Sequence, residues 1–474
     1  MNAKPPRHAL AEAFAEAVAR ARRKGTAVLA SVGMPVAMPP SLDYFARWYD
    51  TCGDAFYWKA REPSLTLCGH GRVATLAASG NGRFATLAAR WKTLIDDAVV
   101  QGGHAPLAIG GCRFDSEGAH AKHWRGFDGA DLAVPALVLA SDGQTHRLIV
   151  QRMLDASADV DAEAEACLAW LEVSETAPST MHPLPEPLHS IELPSADWRC
   201  KVEQALDAID DDRFLKVVLA REACQRHAGR LPVATLLRRL DEQASNAHVF
   251  AFARGDACFL GATPERLVRV EGGHLKTHAL ADSIRRDDVE AADLALARAL
   301  IDSTKDRHEH ELVVRAIVDA LAPHTVALNV PATPEVKRLP RIQHLCTPIR
   351  GELRDGTGIF DLVAALHPTP AVAGLPRDDA MRHIRAHEGF DRGWYAAPVG
   401  WVDGRGDGDF LVALRSALVR DGDCRMYAGC GIVRGSDPVA EYTETCLKLT
   451  QMRDALAHGA IRHVPTLHAD PAMS

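Results

Sequence analysis

The sequence is poor in aromatic residues, which make up 6% of it, and none of its eleven cysteines forms a C-x-x-C pair. Cysteines that are scattered, odd in number and without metal-ligand spacing exclude a small disulfide scaffold and a zinc ribbon, and they fit a reducing compartment. Positive charge is not in surplus: 54 Lys plus Arg stand against 62 Asp plus Glu, a formal net charge of −8. That balance argues against general nucleic-acid binding. A bilayer-spanning run is also missing, since the longest uncharged stretch, residues 26–42, is broken by Pro35, Pro39 and Pro40. Residues 1–25 read as a charged helix with Leu10, Phe14 and Val18 apolar, without the continuous apolar centre of a signal peptide. There is no short repeat. The expectation is a soluble cytoplasmic protein with neither a membrane nor a nucleic-acid partner.

What is present is ordinary globular material. The chain has 474 residues, 47% hydrophobic and 24% charged. That is enough for about three average domains or one large mixed unit. Residues 84–100 read as a helix, with Leu87, Trp91, Leu94, Ile95 and Ala98 recurring at three and four. Residues 133–140 form a compact apolar run, expected to be one buried strand, with 146–154 as its hairpin partner. Residues 174–190 contain four prolines and no apolar period. They read either as a linker or as an ordered surface loop. The first reading divides the chain into an N-terminal part, 1–190, a main region, 191–458, and a tail, 459–474.

Beyond that stretch, 198–209 is helical and 214–220 strand-like, and 249–252 with 258–260 suggest a hairpin. Residues 289–321 read as one long, mostly helical stretch. Residues 362–365 open a helix stopped by His367-Pro368-Thr369-Pro370. Strands are expected at 399–402, 410–419 and 426–433, and a closing helix at 441–456. Strand groups interleaved with long helices make this an α+β chain.

Two runs invite readings that their spacing refuses. His308-Glu309-His310-Glu311 puts its histidines two apart, so on a helix they diverge, whereas a zinc protease needs them four apart. The run DGRGDGD at 403–409 lacks the glutamate that closes a calcium loop and reads as a polar hairpin turn.

Four charged residues stand in surroundings that make them chemically interesting. Lys216, in FLKVVLA, lies in a strand apolar on both faces, where desolvation would make an amine a usable base. Glu265, in GATPE, projects from a tight turn at a strand end. Glu309 and Glu444 stand on two separate helices, the kind of carboxylate pair that holds Mg²⁺. Each also has an ordinary reading: an edge-strand lysine, an exposed turn glutamate, two solvated helix residues.

Order decides between these readings. The stretches FLKVVLARE, FLGATPERLV, STKDRHEHELV, LHPTPAVAGLP, FDRGWYAAPVGW and MYAGCGIVRGSDPVAEYTETCLKL occur in that sequence between about 198 and 456. Together they strongly resemble the chorismate-utilising enzymes: isochorismate synthase, salicylate synthase, anthranilate synthase component I and aminodeoxychorismate synthase. YWKAREPSLTLCGHG, PLAIGGCRFD and WRGFDG extend a weaker resemblance through the N-terminal part. KDRHEHEL and FDRGWYAAPVGW are similar to the isochorismate synthase branch.

The resemblance implies one large α+β domain with two facing β-sheets wrapped by helices, chorismate as substrate and Mg²⁺ as cofactor. It implies Lys216 as the base that activates water, Glu265 as the general acid and His367 close to the reacting ring. Glu309, Glu441 and Glu444 match metal-binding carboxylates. Arg415 and Lys448 match the cations that hold substrate carboxylates. Ser283, Ala371 and the turn carrying Gly429 and Gly431 match pocket-lining positions. A lysine at 216 goes with water rather than ammonia as nucleophile, so no glutamine amidotransferase subunit is expected, and the chain is expected to be a monomer. Two positions depart from the family. Asp282 stands where a glycine is usual beside a substrate carboxylate, and its charge would repel an anion. Cys430 replaces an alanine. The expected activity is isochorismate synthase, with salicylate synthase, or a relative impaired by Asp282, as the alternatives.

Overall fold

A computed structural model describes residues 7–103, 106–118, 120–175, 182–244, 247–338 and 342–457. Their backbone forms two β-sheets, of thirteen and ten strands, and eleven α-helices. Neighbouring strands run antiparallel, except that Val28–Pro35 lies parallel to Val99–Gln101. This is the α+β class expected.

Both halves of the chain build both sheets. In the first sheet, Lys216–His227, Asp423–Val433, Ser416–Arg420, Ala257–Thr263 and His248–Arg254 lie side by side. Ala55–Ala60 then joins His248–Arg254, and the remaining N-terminal strands continue from there. In the second sheet the join is Pro398–Asp403 against Leu107–Cys112.

Strand alternation sorts side chains into two apolar layers. On His248–Arg254, Phe250 and Phe252 point between the sheets, while Val249, Ala251 and Ala253 pack with helix residues Leu236, Leu237 and Leu240. Trp394 bridges the sheets: its ring stands 5.8 Å from Phe252 and 6.3 Å from Phe259, and a Cβ on Gly111 of the second sheet would come within 2.7 Å of it. Each such fully buried large side chain contributes roughly 1.5–3 kcal/mol.

Three expected elements are each two. Residues 133–140 divide into Ala130–Val134 in the second sheet and Leu137–Ser141 in the first. Residues 410–419 divide into Gly408–Val412 in the second and Ser416–Arg420 in the first. In both cases the apolar run continues because the chain stays buried while it changes sheet. The helical stretch 289–321 breaks into Glu290–Asp302 and Thr304–Leu321, where the Ser303 side chain accepts the Asp306 N–H and starts the second helix. The proline-rich stretch is partly strand: Pro187–Glu192 pairs with Lys216–His227, while 176–181 and the tail 459–474 lie outside the described residues.

Candidate active site

Two of the points where the chain changes sheet stand side by side. Glu265 follows Ala257–Thr263 of the first sheet and precedes Arg266–Glu271 of the second. Arg415 connects Gly408–Val412 to Ser416–Arg420 in the opposite direction. The Glu265 N–H donates to Thr263 Oγ1 at 3.2 Å, that hydroxyl donates to the Val412 carbonyl at 2.6 Å, and the Val412 N–H donates back to the Glu265 carbonyl at 3.1 Å. Arg415 has φ +49°, the left-handed region that costs a residue with a Cβ roughly 1–2 kcal/mol. Its carbonyl accepts the Ala262 N–H at 3.1 Å, which helps hold that conformation.

This seam forms one wall of a cavity of about 260 Å³. Lys216, at the start of its strand, reaches in along the neighbouring strand Asp423–Val433. Gly429 and Gly431 belong to that strand and are not a turn, Gly429 facing Ala220 and Gly431 facing Val218. They are glycines because of close approach: a Cβ at 429 would lie 2.8 Å from the Leu219 carbonyl, and one at 431 would lie 2.7 Å from Lys216 Cε and 3.3 Å from its Nζ. Gly431→Ala should therefore leave the melting temperature nearly unchanged, because a flexible side chain yields, but lower turnover by roughly 10–10²-fold through displacement of the amine. Parallel kcat and melting measurements check this.

The last helix, Pro438–Leu456, supplies a third wall. Asp437 caps it by accepting the Ala440 N–H, and Pro438 occupies the first helical position. Glu441, Glu444 and Lys448 share one helical face. The Lys448 ammonium pairs with Glu444 at 2.6 Å and donates to the Gly429 carbonyl at 2.9 Å. Helix Thr304–Leu321 adds Asp306 and Glu309, one turn apart. On that helix His308 is exposed and His310 is buried against the Thr347 hydroxyl at 2.8 Å, so the His-Glu-His run has no metal-ligand geometry.

The charges are unequal in their surroundings. Burial lifts Glu265 from 4.5 to about 7, against the opposing pull of Lys337, Lys448 and Lys216. Burial also raises Glu441, and the charge of Glu444 adds to it. For Glu444 burial is outweighed by Lys448, Arg415 and Lys216, which together hold it below its ordinary value. One wall thus carries a carboxyl that keeps its proton in about half of the molecules at neutral pH and another a carboxylate that stays ionised, a separation that suits acid chemistry beside a charged site.

Of the residues expected from sequence, Lys216, Glu265, Glu309, Ala371, Arg415, Gly429, Gly431, Glu441, Glu444 and Lys448 line this cavity. His367 does not. It lines a separate cleft with Arg83, Phe114 and Arg377, and its Nε2 meets the Phe114 carbonyl at 3.0 Å. Burial lowers it to about 3, so it is neutral and Nε2 carries the proton that is donated. His367 is thus corrected from a residue beside the reacting ring to an anchor of the segment that carries Ala371. Ser283 lies in strand His274–Arg285 opposite His344, and the register shifts between Ala281 and Ser283, leaving Asp282 as the extra residue of a bulge. The side chains of Asp282 and Ser283 lie outside the described residues.

The histidine that does line the cavity is His344, on strand Ile342–Leu353. Sequence reasoning passed over it because a lone histidine in IQHLC carries no local signal. It also missed Asp306, Arg392, Tyr395 and Tyr427, which line the same cavity. Only the shared helical face of Asp306 and Glu309 was readable in advance.

No group of three His, Cys, Asp or Glu among the described residues forms a ready-made metal site. The donors nonetheless suit Mg²⁺, which takes few protein oxygens and keeps water and substrate for the rest. Glu309, Glu441 and Glu444 border one space, and the mutual repulsion of Glu441 and Glu444 is what a divalent cation would relieve.

Residues 14–457 match the family model described as chorismate binding enzyme. The chain belongs to the chorismate-binding enzymes. This family member is 43% identical over 464 residues to the salicylate biosynthesis isochorismate synthase of Pseudomonas aeruginosa, covering 97% of this chain and 96% of that one. It is 33% identical over 453 residues to the isochorismate synthase MenF of Bacillus subtilis, covering 93% and 96%. Among solved structures, the menaquinone-specific isochorismate synthase MenF of Escherichia coli superposes with a TM-score of 0.78 at 26% identity, covering 94% of this chain and all of that one.

Proposed function

We propose that this chorismate-binding enzyme is an isochorismate synthase, which adds water at C2 of chorismate and releases the C4 hydroxyl. The observation that carries the reading is that an amine, Lys216, and a carboxyl raised to about 7, Glu265, line one cavity together with Arg415 and Lys448. The names of the long-matching relatives support the same reaction.

The steps follow from what each side chain carries. Arg415 and Lys448 bind the two carboxylates of the substrate and fix the ring. In its free-amine form Lys216 accepts a proton from the water that attacks C2. The protonated Glu265 gives its proton to the oxygen leaving C4, so hydroxide departs as water. Glu309, Glu441 and Glu444 are the residues that would hold Mg²⁺, which when bound would neutralise the ring carboxylate and draw charge toward itself.

By the family resemblance a lysine at 216 goes with water rather than ammonia, so the reading includes no glutamine amidotransferase subunit; it also takes the enzyme to be a monomer. It also takes the protein to act in the cytoplasm, which suits eleven cysteines that are all unpaired. No described helix is long and apolar enough to cross a membrane.

Isotopic water tests the chemistry. In H₂¹⁸O the product should carry one labelled oxygen, at C2, and excess chelator should abolish turnover until Mg²⁺ is restored. Product without label contradicts water addition, and activity that survives the chelator contradicts the metal assignment.

A further inference from the structure

Resting on the isochorismate synthase reading, we infer that the buried Glu388–Arg392 pair positions Lys216 and sets the width of the cavity at that end. The strand Lys216–His227 needs hydrogen-bond partners along the edge opposite Asp423–Val433. Gly374–Leu375 pairs with Lys216 and Val217, and the Ala373 carbonyl takes the Val218 N–H at 2.8 Å. Farther on, Pro187–Glu192 pairs from Ala223 to His227. Between these two short strands, side chains take over the ladder. Arg392 Nη2 donates to the Val218 carbonyl at 2.8 Å, and Glu388 Oε1 accepts the Ala220 N–H at 2.7 Å.

The same pair reaches the opposite wall. Arg392 Nη1 donates to the Val372 carbonyl at 2.8 Å, next to Ala371. The two side chains lock each other at 2.5 and 2.6 Å and are 2–3% exposed. The guanidinium also lies 4.2 Å over the Phe114 ring. One planar cation thus ties the strand of the base to the segment carrying Ala371, with its carboxylate partner completing the strand edge. A forked donor is required for this, since an ammonium cannot reach two carbonyls and a carboxylate in fixed directions. Glu388 and Arg392 are therefore positioning residues: they act on the reaction through the backbone of Val218 and Ala220.

Steady-state kinetics of Arg392→Lys and Glu388→Gln, well below their melting temperatures, test the inference. The expected result is a fall in kcat of roughly 10–10²-fold with KM for chorismate changed less than about threefold, because base placement is lost while the cationic carboxylate contacts remain. A double variant, Glu388→Gln with Arg392→Met, leaves no unpaired buried charge and should show the same kcat loss while folded. Free guanidinium should restore part of the activity of Arg392→Ala, which a purely structural role would not allow. The rate at which acetic anhydride modifies Lys216, read by mass spectrometry, should change several-fold in Glu388→Gln whether or not chorismate is the substrate. Wild-type protein that leaves chorismate untouched would refute the functional reading alone. Folded variants with wild-type kcat, or with unchanged Lys216 reactivity, would overturn the positioning role.

Discussion

Lys216→Ala should lower turnover of chorismate by roughly 10²–10⁴-fold, the range for a positioned acid or base. The fold should survive. The residue is half-buried, its backbone pairs with Leu375 and Val433 regardless of side chain, and Gly431 beneath it leaves space into which nothing collapses. KM should change less than kcat, because Arg415 and Lys448 still hold the carboxylates. Circular dichroism, kcat and KM on the same preparation check this. Near-normal turnover in a folded variant would remove Lys216 from the mechanism.

Glu265→Gln should cost a comparable factor, and it has two pH signatures. The carboxyl must be protonated to serve as an acid, so wild-type kcat/KM, which reports the free enzyme, should fall as pH rises through about 7, and that limb should be missing from the residual activity of the variant. The second signature is in stability. The folded value is raised from 4.5 to about 7 by burial, so the contribution of this group to stability is complete below 4.5 and is lost as pH rises through about 7. The glutamine variant should melt like wild type at low pH and above it at pH 8, by on the order of 3 kcal/mol at most. Thermal melts across that range decide. A variant less stable than wild type at pH 8 would mean that the carboxylate is compensated in the folded protein.

How much of this was legible in the sequence follows from how local each signal is. The wall carrying Glu441, Glu444 and Lys448 is one face of one helix, so spacing alone brings those residues together. Lys216 stood out because it interrupts an apolar strand. The changes of sheet at 135–136 and 413–415 were not legible, because Pro135, Ala136 and Ala413 stay buried and the apolar pattern runs on through them. His367 was singled out through the resemblance of its motif, LHPTPA, whereas His344, which lines the cavity, stands inside a strand with no motif of its own. Which of the two meets the cavity depends on how strand Ile342–Leu353 packs, a tertiary fact. Glu388 and Arg392 read as an ordinary pair just past a helix end; their role depends on a gap in a strand edge more than 160 residues earlier in the chain. Asp282 falls at a β-bulge, where its strand carries one residue more than the strand it pairs with, a feature of pairing that the sequence does not announce.

The most direct measurement is product analysis with purified protein, chorismate and Mg²⁺, following chorismate and isochorismate by chromatography and pyruvate by a coupled assay. The account predicts conversion of chorismate to isochorismate, the same equilibrium mixture reached from either compound, and no pyruvate. Chorismate left unconsumed, or salicylate and pyruvate formed in equal amounts, would contradict it.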